Sequence, residues 1–259
     1  NHSLEEMFNT AQVLAYQPLP RGSRLAIVTN AGGPGVMATD AAIERGLELS
    51  RFSPQTTAKL KKGLPAAANI KNPIDVIGDA RDDRYVAAME AVFADPDVDQ
   101  VLVILTPQSM TNITAIAQAV IATRKRFAGS GKTLACSFMG AKDVAPGIQI
   151  LQQAGIPHYI LPEWAADAMV DAVRYRRWLS REPGEVVRYE ADTAAAAAII
   201  DPAPDGYLPE SDALAVLRAY GFPLVDFQLA RTADEAAAAA ERIGYPIVLR
   251  VVAPKIIHK

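Results

Sequence analysis

At 259 residues the chain exceeds one typical domain, so one large unit or two smaller ones fit its length equally well. Half of the residues are hydrophobic, 21% are charged and the formal net charge is −3, which excludes the basic surface that nucleic acid or an anionic membrane would require. A single cysteine excludes an internal disulfide framework, and no apolar run approaches the roughly 20 residues that span a bilayer.

Residues 4–16 carry apolar side chains at helical spacing, and Pro18 and Pro20 end that lead-in helix. The N-terminus shows neither a basic leader nor a signal-type apolar segment, so a cytoplasmic location is expected. Residues 25–29 are short, apolar and partly β-branched, and a glycine cluster and a helix from Pro34 to about Arg45 follow them. The same strand-then-helix order recurs at 101–105 with 111–127 and at 134–138 with 144–154, and a helix at 163–179 closes the series. Cys136 falls within one of these strands, where burial is expected. Strands apolar on both faces, alternating with helices, predict an α/β fold with a parallel sheet covered on each side.

Proline, glycine and an alanine-rich run fill residues 181–206, which read as a linker with room for a helical turn or more. Beyond it the pattern predicts a helix at 210–220, a short strand at 227–230, a helix at 232–243 capped by Thr232 and stopped by Gly244, and a strand at 247–252. So small a set of elements is expected to belong to a larger domain.

The cluster Asn30-Ala31-Gly32-Gly33-Pro34-Gly35 sits where a parallel strand passes into a helix, at the edge where open α/β sheets place ligands. Glycine permits close approach, Pro34 suits a first helical turn, and unpaired N–H groups with the helix dipole make an anion site, the dipole contributing about 0.3–2 kcal/mol. The alternative is a plain tight turn. The cluster is neither G-x-G-x-x-G nor a Walker A loop. A second decoy, Gly129-Ser130-Gly131-Lys132-Thr133, has Arg126 in place of the first glycine and precedes a strand instead of following one, so Lys132 is expected to be structural. His2 and His158 are likewise expected to be structural.

The run Val28-Thr29-Asn30-Ala31-Gly32-Gly33-Pro34-Gly35-Val36-Met37-Ala38-Thr39-Asp40 resembles the ligase segment of NDP-forming (ADP-forming) acyl-CoA synthetases and, more distantly, part of the succinyl-CoA synthetase β subunit. Asn72-Pro73-Ile74-Asp75, Thr106-Pro107-Gln108-Ser109, Ser137-Phe138-Met139-Gly140 and Ala154-Gly155-Ile156-Pro157 ahead of Pro162-Glu163 follow in the same order. After the linker, Glu210-Ser211-Asp212-Ala213, Tyr220-Gly221-Phe222-Pro223 and the run from Gly244 to Lys259 resemble the start of that family's ATP-grasp module.

The resemblance implies a flavodoxin-like doubly wound parallel sheet over residues 1–180, the linker at 181–206, and the opening of an α+β ATP-grasp domain over 207–259. It implies reversible conversion of acyl-CoA, ADP and phosphate into carboxylic acid, ATP and CoA through a phosphohistidine relay. Asn30, Gly32, Gly33, Gly35 and Val36 would cradle the phosphoryl group. The run Thr106 to Thr111 is a second strand-to-helix junction on the same edge, with Thr111 expected to cap the helix; either it is structural alone, or Gln108 and Ser109 help hold the acyl phosphate or carboxylate. His258 would relay phosphate, with Arg250 and Lys259 on the nucleotide.

Arg250 stands where the family usually has lysine, and Lys255 where an acidic or amide residue is usual. Neither a CoA-binding Rossmann domain nor a domain with the primary phosphohistidine is present, so these are expected in the same chain or in a partner subunit, within an oligomer. ATP or ADP, CoA and Mg would serve the complete enzyme, with no metal site and no cofactor expected on this segment alone, which should not turn over. A second reading is a synthetase-like CoA-sensing region fused to a protein acetyltransferase; a third is an interaction module with no site of its own.

Overall fold

Short apolar runs become strands here because their side chains are buried on both faces of one sheet. The computed structural model describes residues 3–252. The chain divides into two units, Asn1–Glu182 and Pro183–Lys259. In the first, the order is α1 (Leu4–Tyr16), β1 (Arg24–Thr29), α2 (Gly32–Glu44), β2 (Glu48–Leu49), α3 (Pro54–Gly63), β3 (Ile74–Asp75), α4 (Asp82–Ala94), β4 (Gln100–Leu105), α5 (Ile113–Arg126), β5 (Thr133–Phe138), α6 (Ala145–Gln153) and α7 (Pro162–Leu179). All pairings between these strands are parallel, in the order β2-β1-β4-β5, with β3 also on β1. The row extends past β5 by one bridge, Cys136 to His158, flanked by hydrogen bonds of 2.9 Å from Cys136 N–H to the Pro157 carbonyl and from Tyr159 N–H to the Cys136 carbonyl.

Alternation along each strand divides the core. Ala26, Val28, Val101, Val103, Leu105, Leu134, Cys136 and Phe138 pack with residues of α3 to α6. Leu25, Ile27, Leu102, Ile104 and Ala135 pack with α1, α2 and α7. This is the parallel sheet covered on each side that the patterning predicts, in the doubly wound arrangement that the resemblance implies. Its crossovers diverge at β1, so β1 and β4 meet at a topological switch point.

The sheet is patched by one side chain. β2 pairs only with Arg24 and Leu25, and β3 only with Val28 and Thr29, which leaves the middle of β1 without a strand on that side. Asn72 fills the gap. Its Oδ1 accepts from Ile27 N–H at 3.0 Å, and its Nδ2 donates to the Leu25 carbonyl at 2.7 Å and the Ser50 carbonyl at 3.2 Å. A side-chain amide has the donor and acceptor of a peptide group, so it continues the ladder.

At the opposite edge of the sheet from the β1–α2 junction, Lys132 is 8% exposed. Its Nζ donates to the Val92 carbonyl at 3.3 Å and to the Asp95 carbonyl, satisfying groups at the C-terminal end of α4. Burial lowers its pKa to about 8. The Walker-like decoy is thus a helix-end clamp, as expected. Beside it, Arg24 grips Asp99 at 2.9 and 3.0 Å and Asp97 at 2.7 Å.

The second unit holds α8 (Thr193–Ile200), α9 (Glu210–Ala219) and α10 (Ala233–Ile243). Helix α8, within the stretch read as linker, is capped by Asp192, whose Oδ1 accepts from Ala195 N–H at 2.9 Å. Thr232 caps α10 by accepting from Glu235 N–H at 3.2 Å, and Gly244 ends it with φ of 93°. The strands expected at 227–230 and 247–252 are not formed among the described residues. Apolar alternation favours an extended backbone, but a strand exists only when a neighbour pairs its N–H and C=O groups. Here Val225 and Val248 are 86% and 85% exposed.

Two outcomes follow for the first unit. Asn72→Ala leaves Ile27 N–H and the Leu25 carbonyl without their partner, so urea unfolding should show a loss of about 2–3 kcal/mol. For both Asp95 and Asp99, burial pushes the pKa up, but hydrogen bonds outweigh it and hold each carboxyl below the ordinary range: Ser53 and Asp97 N–H on Asp95, Arg24 side chain and N–H on Asp99. A depressed carboxylate stabilises the fold above its unfolded pKa and loses that contribution as pH falls through the folded value. Stability measured by urea unfolding should therefore decline below about pH 4, and Asp99→Asn should flatten that decline.

Candidate functional site

The junctions that follow β1, β3 and β4 meet at the C-terminal edge of the parallel sheet. At the first, Thr29 Oγ1 accepts from Ala31 N–H at 3.1 Å and donates to the Ala31 carbonyl at 2.9 Å, which fixes the turn into α2. Asn30, 3% exposed, donates through Nδ2 to the Thr106 carbonyl at 2.8 Å. Its Oδ1 accepts from Thr106 N–H at 2.8 Å and Thr106 Oγ1 at 3.2 Å. The expectation that Asn30 binds phosphate gives way to a positioning role for its side chain, which clips the end of β1 to the end of β4.

Helix α2 begins without a side-chain cap: Ala31, at φ −145° and ψ 125°, makes no capping bond, and no acidic residue lies in the first turn. The N–H groups of Gly32 and Gly33 have no hydrogen-bond partner among the described residues. Pro34 has no N–H, and Gly35 N–H reaches the Ala31 carbonyl at 3.4 Å. Helix start decides which donors are free. A helix beginning at Pro34 would free Gly35 and Val36, but the helix begins at Gly32, so Val36 is its fifth residue and its N–H falls within the helical ladder. Of the five expected phosphate ligands, Gly32 and Gly33 are therefore the available donors.

Gly35 has another reason to be glycine. It is buried, and a Cβ there would lie 3.1 Å from Thr29 Cγ2 and 3.5 Å from Pro73 Cβ. Its bare Cα lets α2 approach β1 and the segment that follows Asn72.

Gln108 and Ser109 lie exposed on the β4–α5 loop. Thr111 was expected to cap α5, but Asn112 does so, accepting from Ala115 N–H at 3.0 Å. Thr111 instead closes the turn, its Oγ1 accepting from Gln108 N–H and its N–H donating to the Gln108 carbonyl, both at 3.0 Å. Gly78 joins these loops, since a Cβ there would meet Gln108 Cγ at 3.8 Å and the Asn30 carbonyl at 3.9 Å.

Just before it, Ile77 adopts φ of 72°, a left-handed conformation that costs a β-branched residue about 1–3 kcal/mol. Asp75 holds it there by accepting Ile77 N–H on Oδ1 at 2.8 Å. Asp75 Oδ2 comes within 3.8 Å of where a Cβ on Gly32 would sit. Sequence reasoning quoted Asp75 only as part of a motif; an Asp two residues before the turn residue it bonds was the available signal.

In the second unit, Arg250 Nη1 pairs with Glu210 Oε1 at 2.7 Å. His258 and Lys259 lie outside the described residues, as do Lys255 and His2. His158 is buried, and its Nε2 accepts from Phe138 N–H at 3.1 Å. Burial lowers its pKa, and burial raises that of the Cys136 thiol, so both stay neutral at pH 7 as structural groups. Among the described residues no cluster of His, Cys, Asp and Glu could hold a metal ion, and no helix is long and apolar enough to cross a membrane.

A family model of the ligase-CoA domain matches residues 25–182, and one of the ATP-grasp domain matches 201–259. The chain is 37% identical over 260 residues to acetate–CoA ligase [ADP-forming] I of Archaeoglobus fulgidus, covering 99% of this chain and 36% of that protein. It is 31% identical over 260 residues to 4-hydroxybutyrate–CoA ligase [ADP-forming] of Nitrosopumilus maritimus, covering 99% and 37%. It is also similar to a solved dinucleotide forming acetyl-coenzyme A synthetase 1 of Ca. Korarchaeum cryptofilum in complex with phosphate and ADP. There the TM-score is 0.65 at 32% identity, over 68% of this chain and 38% of that one. The chain thus spans little more than a third of the length of these relatives.

The glycines should respond oppositely to alanine. Thr29 is buried and its hydroxyl is tied to Ala31, so it cannot yield to a methyl at Gly35, and Gly35→Ala should cost about 1–3 kcal/mol in thermal or urea unfolding. Nothing lies within 4 Å of a Cβ at Gly33, whose φ is not positive. Gly33→Ala should therefore be neutral or stabilise by about 0.5 kcal/mol.

Proposed function

As this chain belongs to the ligase-CoA domain family, we propose that it is a segment of an ADP-forming acyl-CoA synthetase whose first unit receives a migrating phosphoryl group at the N-terminus of α2. The observation that carries this reading is the pair of unpaired N–H groups, Gly32 and Gly33, at the switch point of the sheet. Backbone amides at a helix start stabilise phosphoryl oxygens by charge-assisted hydrogen bonds and the helix dipole. They offer no nucleophile to capture the group, so it can pass on. Asn30 and Thr106 keep the two loops in register, which keeps those amides aimed at one place.

The exposed side chains beside the amides support a phosphoryl group delivered on a protein surface. Val36 is 57% exposed, Met37 lies next to it on α2, and Met110 stands exposed on the β4–α5 loop. A small anion has no use for apolar neighbours; a docking protein segment does. The carrier in this reading is a phosphohistidine on a further domain of the same chain or of a partner subunit, which also supplies the CoA site. Gln108 and Ser109 face the acyl group.

The second unit opens the nucleotide-binding module, with Arg250, His258 and Lys259 serving ADP and Mg accompanying the nucleotide in the complete enzyme. The described residues fit a phosphoryl group at α2. They offer no set of metal ligands, and Arg250 is engaged with Glu210.

Titrating the full chain with inorganic phosphate should shift the Gly32 and Gly33 amide resonances in a saturable manner and leave Val36 N–H less affected. Gly32→Pro removes one donor at a helix position that suits proline, after a residue, Ala31, already in the extended conformation a following proline favours. It should weaken phosphate binding roughly tenfold with the fold retained. Absence of any response at both glycines would overturn the proposal.

A further inference from the structure

Among the described residues, Asp75 places a carboxylate at the α2 mouth, a group whose chemistry opposes an anion. Asp75 is fixed in place by its backbone: it pairs in register with Thr29 of β1, exchanges hydrogen bonds with Asn69 at 3.0 and 3.1 Å, and precedes Val76, whose N–H donates to the Thr29 carbonyl at 2.8 Å. Its Oδ1 is held by Ile77 N–H, while Oδ2, the oxygen nearest Gly32, has no hydrogen-bond partner among the described residues. Among the described residues no cation pairs with it. Arg84, the guanidinium that reaches the same loop, bonds the Val76 carbonyl at 3.1 Å and pairs with Asp79 at 2.6 Å.

We infer that Asp75 is a specificity-determining residue that weakens binding of free phosphate at the α2 mouth; the inference rests on the phosphoryl reading of that mouth. Two effects act on an arriving anion. The Gly32 and Gly33 N–H groups attract it, and a rigid carboxylate a few ångströms away repels it. Free phosphate is held by its oxygens alone, so its occupancy reflects the small difference between those effects. A phosphoryl group presented on a docked carrier has its position fixed by the carrier's own contacts and tolerates the repulsion. The carboxylate therefore keeps the mouth clear of the soluble anion. The strained turn at Ile77 is the structural cost of holding that charge in place.

The test compares the full wild-type chain with Asp75→Asn and Asp75→Ala, using inorganic phosphate as the probe and Gly32 and Gly33 amide shifts as the readout. Asparagine retains an oxygen for Ile77 N–H, removes the charge and sets an amide NH2 in place of Oδ2. Asp75→Asn should bind phosphate about tenfold more tightly at low ionic strength, with the gap narrowing as salt screens the repulsion. Its thermal midpoint should stay close to the wild-type value. Asp75→Ala adds no new donor, so it should share the gain in affinity while its thermal midpoint falls. Unchanged or weaker binding in Asp75→Asn, with shifts still centred on Gly32 and Gly33, would overturn the inference and leave the phosphate site standing. Silence at both glycines in all three proteins would remove the site and the inference together.

Discussion

The side-chain amide of Asn30 joins the ends of β1 and β4 at the point where the crossovers of the sheet diverge, and every feature of the candidate site is placed by that junction. Parallel strands leave their terminal N–H and C=O groups unpaired where the ladder stops, and a switch point separates the two loops that follow. Asn30 satisfies both Thr106 groups, so the crevice is held without being filled. Asn72 does equivalent work on the other side of β1, supplying the missing ladder partner between two strands too short to meet. One strand is thus anchored along both edges by asparagine side chains, which lets a helix start immediately after it without a cap of its own.

The large elements were legible because each rests on a repeated local signal. β1, β4 and β5 are short, mainly apolar runs, and the helix at 4–16 has the bounds its periodicity predicts. Thr232 and Gly244 mark α10 by cap chemistry alone. Residues 46–99 were harder: β2 and β3 are two residues each, too short to display a period, although Ser53-Pro54 before α3 is a recognisable helix start. The unformed strands at 227–230 and 247–252 show the limit from the other direction. Their apolar content is real, but pairing is a property of two segments, and periodicity reports on one.

Within the site, the position of the glycine cluster was legible and its donors were not. The count turns on where the first helical residue falls, and a shift of two residues moves the free N–H groups from Gly35 and Val36 to Gly32 and Gly33. Proline at Pro34 conceals this, because it suits any of the first helical positions. Asn30 carried an ambiguous signal as well: an amide beside glycines is as fit to bind a phosphate as to bind a backbone, and only the neighbouring strand decides. At the Asp75–Ile77 turn the Asp was a local signal, but the left-handed angle of Ile77 is one that no sequence pattern for isoleucine suggests.

Magnitudes favour a site that holds its ligand briefly. Two charge-assisted hydrogen bonds contribute about 1.5–3 kcal/mol each, and a helix dipole about 0.3–2 kcal/mol. Loss of translational and rotational freedom opposes binding by an estimated 4–15 kcal/mol at the standard state. A free anion gains little from that balance, and the charge of Asp75 reduces it further. In the proposed reading, a phosphoryl group borne on a docked surface would meet the same two amides with its freedom already restricted by the contacts of its carrier, so the full strength of the hydrogen bonds would act on it. On the proposed reading, weakness toward the free anion and sufficiency toward the delivered group would be one property of the same two glycines, the property that a reversible transfer requires.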